Sequence, residues 1–294
     1  FARRVYELLG SNTLTISNFS RGLRLLFGDL VITSDSGAEV LRRLQELEAN
    51  NSIDRLRLAG LRKAMSEHTY ADRMNYILEK ITGLPRIIQL PAFTIVAVAN
   101  NQIEVNNLVE QVARQQQGCM SMDVKLVLVC GRQPSAKKAE QVLRQKGLAG
   151  HTITVKQVKD KTLQQLSGEH RWVVGMLASD YYGPNYLLDI ALATRYSNAQ
   201  VIGKAAFFCQ REDHVELQQA DLAYQPGTPL QARRSAIQPS VANNINARDW
   251  CNKLASWQYD AVDGLAIDAY NYIENTDEET QKHQQVTIPF TNSF

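Results

Sequence analysis

Four runs dense in aliphatic and β-branched residues dominate the middle of the chain: AFTIVAVA (92–99), VKLVLVC (124–130), HTITVKQV (151–158) and RWVVGML (171–177). Between them lie EVNNLVEQVARQQQ, AKKAEQVLRQKG and a short segment near 161–166, all with apolar residues at helical spacing. Strands that are apolar on both faces are strands covered on both faces, as in a parallel sheet flanked by helices. Successive β-helix-β units cross over right-handedly, so this alternation predicts an α/β fold built on an open, mostly parallel sheet. In such sheets ligands bind beyond the carboxyl ends of the strands.

The region before residue 83 has a different texture. TLTIS (13–17) and DLVIT (29–33) read as strands, and AEVLRRLQEL (38–47) as a helix with Ser34, Asp35 and Ser36 as candidate N-caps. Two further amphipathic segments, IDRLRLAGLRKAMSEH and YADRMNYILEKI, complete a βα layer with a helical end. It has too few strands for a whole sheet, and the chain starts at Phe1, so residues 1–82 read as the end of a longer domain. GLPRIIQLP (83–91), with two prolines and a glycine, reads as a linker. Residues 92–279 form the second domain, and the polar stretch 280–294 a frayed tail.

At 294 residues and 44% apolar, the chain can bury one large core or two. Its 32 basic and 30 acidic residues leave a net charge of +2 and no basic stripe, which argues against a nucleic-acid partner. The longest apolar run has eight residues, below the ~20 needed to cross a bilayer, and no secretory signal is visible. The four cysteines and five histidines are scattered without metal-ligand spacing, a pattern of reduced thiols in a cytoplasmic protein.

The stretch LASDYYGPNYLLDIALATRYSNAQVIGK (177–204) holds the densest set of candidates. Asp180 lies just past the fourth strand, where it either contacts a ligand or metal or organises the turn into a helix starting near Pro184. Tyr181 and Tyr182 either stack on a base or sugar or pack over the sheet end. Lys204 either neutralises a diphosphate or is an exposed lysine at a strand end. Asn100 and Asn101 end the first strand, and Gly131 follows the second. All three are placed to meet a nucleotide or, equally, to form turns. Asp189 can face substrate or solvent.

These residues carry a resemblance. FTIVAVANNQIEVNNLVEQVARQQQ…VKLVLVCG and WVVGMLASDYYGPNYLLDIALATRYSNAQVIGK are similar to the nucleotide-sugar half of family 2 glycosyltransferases with the GT-A fold. AIDAYNYI (266–273) resembles their closing segment. RRVYELLGSNTLTISNFSRGLRLLFGD and GLRKAMSEHTYADRMNYIL resemble the carboxyl-terminal end of a GT-B glycosyltransferase of the spore-maturation or capsule type. There Arg4 and Glu7 match an Arg-x-x-Glu pattern, and His68, Thr69, Tyr70 and Arg73 match a motif that closes the domain.

The resemblance implies a nucleotide sugar donor and a saccharide acceptor, with lipid-linked acceptors included. It further implies an inverting transfer in bacterial surface-polysaccharide synthesis, at the inner face of the plasma membrane. It also implies a divalent cation, Mg²⁺ or Mn²⁺, held by Asp180, with Asn100, Asn101, Gly131, Tyr181, Tyr182 and Lys204 around the donor. The chain departs from the family where Leu177, Ala178 and Ser179 stand in place of Asp-x-Asp. A general base is needed; Glu212, Asp213, Glu216, Asp221 and Asp249 are candidates, and Asp213 is chosen for its neighbour His214. Arg233 and Arg234 either hold an anion or are solvated charge. The alternative reading is a catalytically degenerate module for acceptor binding or scaffolding within a larger polymerase.

Overall fold

Alternate residues of the strand Phe93–Ala99 face two different cores. Phe93, Ile95, Ala97 and Ala99 join one apolar cluster, while Val96 and Val98 pack into another on the opposite side. The neighbouring strands repeat this division, with Leu126 and Leu128 set against Val127 and Val129, and Val174 and Met176 against Val173. A period of two with both sets apolar is the signature of a sheet covered on both faces.

The computed structural model describes residues 3–84, 90–115, 122–131, 135–212, 214–260 and 262–276. Most of the expected linker, Arg132, Asp213 and the expected polar tail lie outside the described residues. The described residues divide into two compact units, 3–84 and 90–276.

The first unit runs α1 (Arg4–Gly10), β1 (Thr15–Ser17), α2 (Arg21–Phe27), β2 (Val31–Thr33), α3 (Gly37–Ala49), α4 (Ile53–Glu67) and α5 (Tyr70–Thr82). Strands β1 and β2 pair in parallel, and Val5, Leu9, Leu23, Phe27, Leu30, Val31 and Ala64 form the core. Of the three candidate caps for α3, Ser36 is the one that accepts from Glu39 N. Asp35 instead accepts from Phe19 N at 2.9 Å, tying the ends of the two strands together.

The second unit runs β3 (Phe93–Ala99), α6 (Gln102–Gln115), β4 (Val124–Cys130), α7 (Ala136–Gln145), β5 (Gly150–Thr154), α8 (Val155–Val158), α9 (Leu163–Ser167), β6 (Trp172–Met176), β7 (Tyr181–Tyr182) and α10 (Tyr186–Ala193). It continues with β8 (Val201–Gly203), β9 (Phe207–Arg211), β10 (His214–Gln218), β11 (Leu230–Gln231), β12 (Ser235–Ile237), α11 (Pro239–Ala242), α12 (Ala247–Asn252), β13 (Gln258–Tyr259), β14 (Gly264–Ala266) and β15 (Tyr272–Glu274).

Its main sheet has the order β14-β8-β12-β6-β3-β4-β5, with β12 alone antiparallel to its neighbours. Residues of α6, α7 and α10 cover one face, and those of α8, α9, α11 and α12 the other. This is the α/β class expected from the alternation, an open, mostly parallel sheet flanked by helices.

One local expectation needs correction. HTITVKQV is not one strand: β5 ends at Thr154, and residues 155–158 turn into α8. Thr154 and Gln157 form a capping box there, with Gln157 Oε1 accepting from Thr154 N at 2.8 Å, which outweighs the β-branched valines. Tyr181 and Tyr182, left without a strand assignment in the sequence, form β7, paired with β15 in a second sheet of order β10-β9-β15-β7.

Candidate functional site

A pocket of about 400 Å³ opens where β3 and β6 end, at their carboxyl termini. Val98 and Asn100 come from β3 and the residue just past it, Glu104 from α6, and Leu177, Ala178 and Ser179 from the segment leaving β6. Cys251, Asn252, Leu254 and Ala255 close it from α12 and the turn beyond. Its size and its mix of apolar walls with a few polar groups suit a small-molecule ligand.

One end of the pocket is organised by the start of α6. Glu104 N donates to Asn101 Oδ1 at 2.9 Å, and Glu104 in return accepts from Asn100 N at 2.7 Å and from Asn101 Nδ2 at 2.8 Å. This reciprocal arrangement satisfies the Glu104 N–H in the first turn of the helix and the Asn100 N–H before it, and explains the Asn-Asn pair after the strand. Gly131 lies against it: a Cβ there would stand 3.3 Å from Asn100 Oδ1. Asn100 and Gly131 are thus neighbours at the carboxyl edge, with Asn100 lining the pocket.

Asp180 is not in the pocket wall. Its side chain is 0% exposed, and Arg233 Nε and Nη2 donate to both carboxylate oxygens, the former at 2.8 Å. Tyr272 Oη donates to Oδ2 at 2.8 Å and Asn275 N to Oδ1 at 3.1 Å. A carboxylate has about four acceptor positions, and these donors fill them, with Ser179 Oγ and Tyr182 Oη also within 3.3 and 3.4 Å. The expectation of a ligand-facing or metal-binding Asp180 is therefore corrected. β7–β15 pairing brings Tyr272 and Asn275 over the acid, and Arg233 arrives from the segment before β12.

Burial and the Asp180 charge push the Tyr182 and Tyr272 hydroxyls well above the ordinary tyrosine range, so both remain neutral donors. Burial opposes the Arg233 charge, but the hydrogen bonds it donates to Asp180 and the nearby anions outweigh it and raise the group further.

The other expected ligand contacts are also internal. Tyr181 and Tyr182 are 2% and 0% exposed. Tyr182 donates to Arg233 O at 2.7 Å, and Arg114 lies over the Tyr181 ring at 4.8 Å. Lys204 is neither an exposed lysine nor a phosphate ligand. It is fully buried, donating to Asp268 Oδ1 at 2.9 Å with Asp189 3.8 Å away, so Asp189 faces neither solvent nor substrate. Arg233 and Arg234 are buried too, both paired with Glu274, and Arg234 stacks over Phe207 at 3.8 Å. A buried charge must be paired, and the partners of each of these lie 40 residues or more away in sequence or on another element.

Asp213, the chosen general base, lies outside the described residues. Glu212, Glu216, Asp221 and Asp249 are exposed, and none lines the pocket.

Several residues that shape the site had no prominence in the sequence. Gln111 and Gln115 are buried on α6 and hold the 180–187 segment. Gln111 accepts from Tyr182 N at 3.0 Å, and Gln115 donates to Gly183 O at 2.9 Å while accepting from Leu187 N at 3.2 Å. Two glutamines four apart on the apolar stripe of a helix were the available signal. Cys251 and Asn252 offered none, being placed by the return of the chain through α12.

A divalent cation does not fit these residues. Asp180 is committed to a guanidinium, and the three preceding positions carry no ionisable group. Among the described residues the one carboxylate in the pocket wall, Glu104, already accepts from Asn100 and Asn101. Among the described residues no group of three or more His, Cys, Asp or Glu side chains is arranged to hold a metal.

In the first unit Glu7 pairs with Arg3 at 2.7 Å. The closing motif is a packing device: Thr69 caps α5, His68 packs edge-on to Tyr6 and Phe27, and Arg73 lies 4.3 Å from the Tyr6 ring centre.

A protein-family profile described as Glycosyl transferase-like matches residues 1–79. No curated protein matches the chain in sequence. Among solved structures the chain is similar to S. aureus TarS 1-349 in complex with UDP-GlcNAc, at 14% identity and a TM-score of 0.41, over 63% of this chain and 59% of that one. It is also similar to the mannosyltransferase PcManGT from Pyrobaculum calidifontis in complex with GDP-Man and Mn²⁺, at 7% identity and a TM-score of 0.39, over 76% and 70%. A third is glucosyl-3-phosphoglycerate synthase from Mycobacterium tuberculosis in complex with phosphoglyceric acid, at 12% identity and a TM-score of 0.35, over 65% and 75%. The chain spans less than two thirds of the TarS structure. No helix among the described residues is long and apolar enough to cross a membrane.

Proposed function

We propose that this chain is part of a glycosyltransferase that moves a sugar from a nucleotide donor to a saccharide acceptor. The observation that carries the reading is the pocket at the carboxyl ends of β3 and β6, where a sheet of this topology binds its ligand. The match of residues 1–79 to a Glycosyl transferase-like family supports it from the other end of the chain. Asn100 and Gly131 are the binding residues in this reading, at the rim where the nucleoside would lie. The second unit is read as GT-A-like and the first as the partial end of a GT-B-like domain. The context is surface-polysaccharide assembly at the cytoplasmic face of the membrane, with lipid-linked saccharides among the acceptors.

A second reading has its own observation. With Leu177, Ala178 and Ser179 in the metal-binding positions of the family pattern and Asp180 locked to Arg233, the second unit can be a module that binds acceptor glycan without turning over a donor. Incubation of the full chain with labelled uridine, guanosine, cytidine and thymidine diphosphate sugars and a panel of oligosaccharide acceptors separates the two. Sugar transfer establishes the enzyme. Oligosaccharide binding without release of nucleotide from any donor establishes the module.

A further inference from the structure

The pocket continues along α12 toward a cation. A smaller apolar cleft lined by Val129, Val155 and Val158 shares Val98, Cys251 and Asn252 with the main pocket, and Arg248 stands in its wall. Arg248 precedes Cys251 and Asn252 by three and four residues on one short helix, so the three lie on the same face. Unlike Arg233 and Arg234, Arg248 is exposed.

The opposite end of the pocket has the reverse character. Glu104 and Asn100 stand there, and a carboxylate in that wall repels phosphate. Burial raises the Cys251 thiol to about 12, so this side chain adds no negative charge between the two ends. The pocket is therefore flanked by opposite charges, with the Glu104 carboxylate in its wall at the α6 end and the Arg248 guanidinium in the wall of the adjoining cleft at the α12 end.

Resting on the donor-binding reading above, we infer that this pocket takes a nucleoside diphosphate with its phosphates toward Arg248, without a divalent cation. Guanidinium is a permanent cation that grips phosphate oxygens in a bidentate fork, so it can supply the charge neutralisation that Asp180 is no longer placed to recruit. A cation at Asp180 would have to displace Arg233 and leave that guanidinium with Glu274 as its remaining acid, which burial opposes.

The test is titration calorimetry of the full chain with UDP and with GDP, in EDTA and in excess Mn²⁺, for wild type and Arg248→Gln. The exposed position of Arg248 leaves the fold of the variant intact, and its melting temperature checks this. The inference expects affinities that agree within about twofold in EDTA and Mn²⁺, and a loss of at least about tenfold in R248Q. Binding that appears only with Mn²⁺ overturns the inference and leaves the glycosyltransferase reading standing. Wild-type affinity in R248Q overturns the role of the arginine in the same way. No binding of either nucleotide under either condition removes the donor reading itself, and the inference with it.

Discussion

Replacing Asp180 by alanine would leave the Arg233 guanidinium buried with Glu274 as its remaining acid. Removing one partner of a buried pair typically costs about 3–5 kcal/mol, because an uncompensated charge remains out of water. The expected outcome for Asp180→Ala is a loss of that size in urea or guanidinium unfolding, accompanied by loss of the Tyr272 and Asn275 contacts. A surface metal ligand would behave otherwise, losing ligand affinity at nearly unchanged stability. A change below about 1 kcal/mol would contradict the buried pair described here. At this scale the sequence was only half legible. An acid after a strand, followed by two tyrosines and Gly-Pro, identified a structurally loaded position. It could not show that the neighbours of Asp180 are residues 233, 272 and 275, since those contacts form only when β7, β12 and β15 converge.

The elements show where local chemistry decides and where it is overruled. Gly203 ends β8 between two partner strands, and a Cβ there would stand 2.6 Å from Arg234 O and 2.4 Å from Ser235 Cβ. Those are backbone-anchored atoms that cannot swing aside, so Gly203→Ala is expected to destabilise the second unit by about 1–3 kcal/mol in chemical denaturation. In the first unit, burial between Tyr6 and Phe27 lowers the pKa of His68, and its Nε2 has no hydrogen-bond partner among the described residues. The unfolded chain therefore takes up the proton first as pH falls below about 6.5, so this group makes stability decline toward acid and recover above neutrality. Comparing unfolding at pH 5 and pH 7.5 for wild type and His68→Phe checks the sign: the variant should show the shallower dependence. The helix of residues 70–82 was legible in the amphipathic spacing of YADRMNYILEKI, and the structure adds a capping box of Thr69 and Asp72 at its start. The α8 turn was misread because its valines favour a strand, and the same kind of box at Thr154 decides otherwise.

For the molecule as a whole, the two units carry separate cores, one around Leu9 and Phe27 and the other on both faces of the seven-stranded sheet. A chain built so is not expected to unfold in one cooperative step. Scanning calorimetry should resolve two transitions, with Leu9→Ala lowering one and Asp180→Ala the other. A single transition lowered by both substitutions would show that the units melt together.

What the sequence determined by itself was everything carried by short-range periodicity. Unbroken aliphatic runs alternating with amphipathic stretches require strands covered on both faces, and hence an open α/β sheet with its ligand edge at the strand ends. Tertiary structure alone decided which charges reach that edge. Asp180, Lys204, Arg233 and Arg234 are all polar in composition and all lie near the edge in sequence terms. Each is buried, because a partner from a distant element neutralises it and makes its burial tolerable. The pocket was left to Asn100, Glu104, Ser179 and Asn252, with Arg248 beside it, residues brought together by the return of the chain through α12 rather than by any spacing in the sequence.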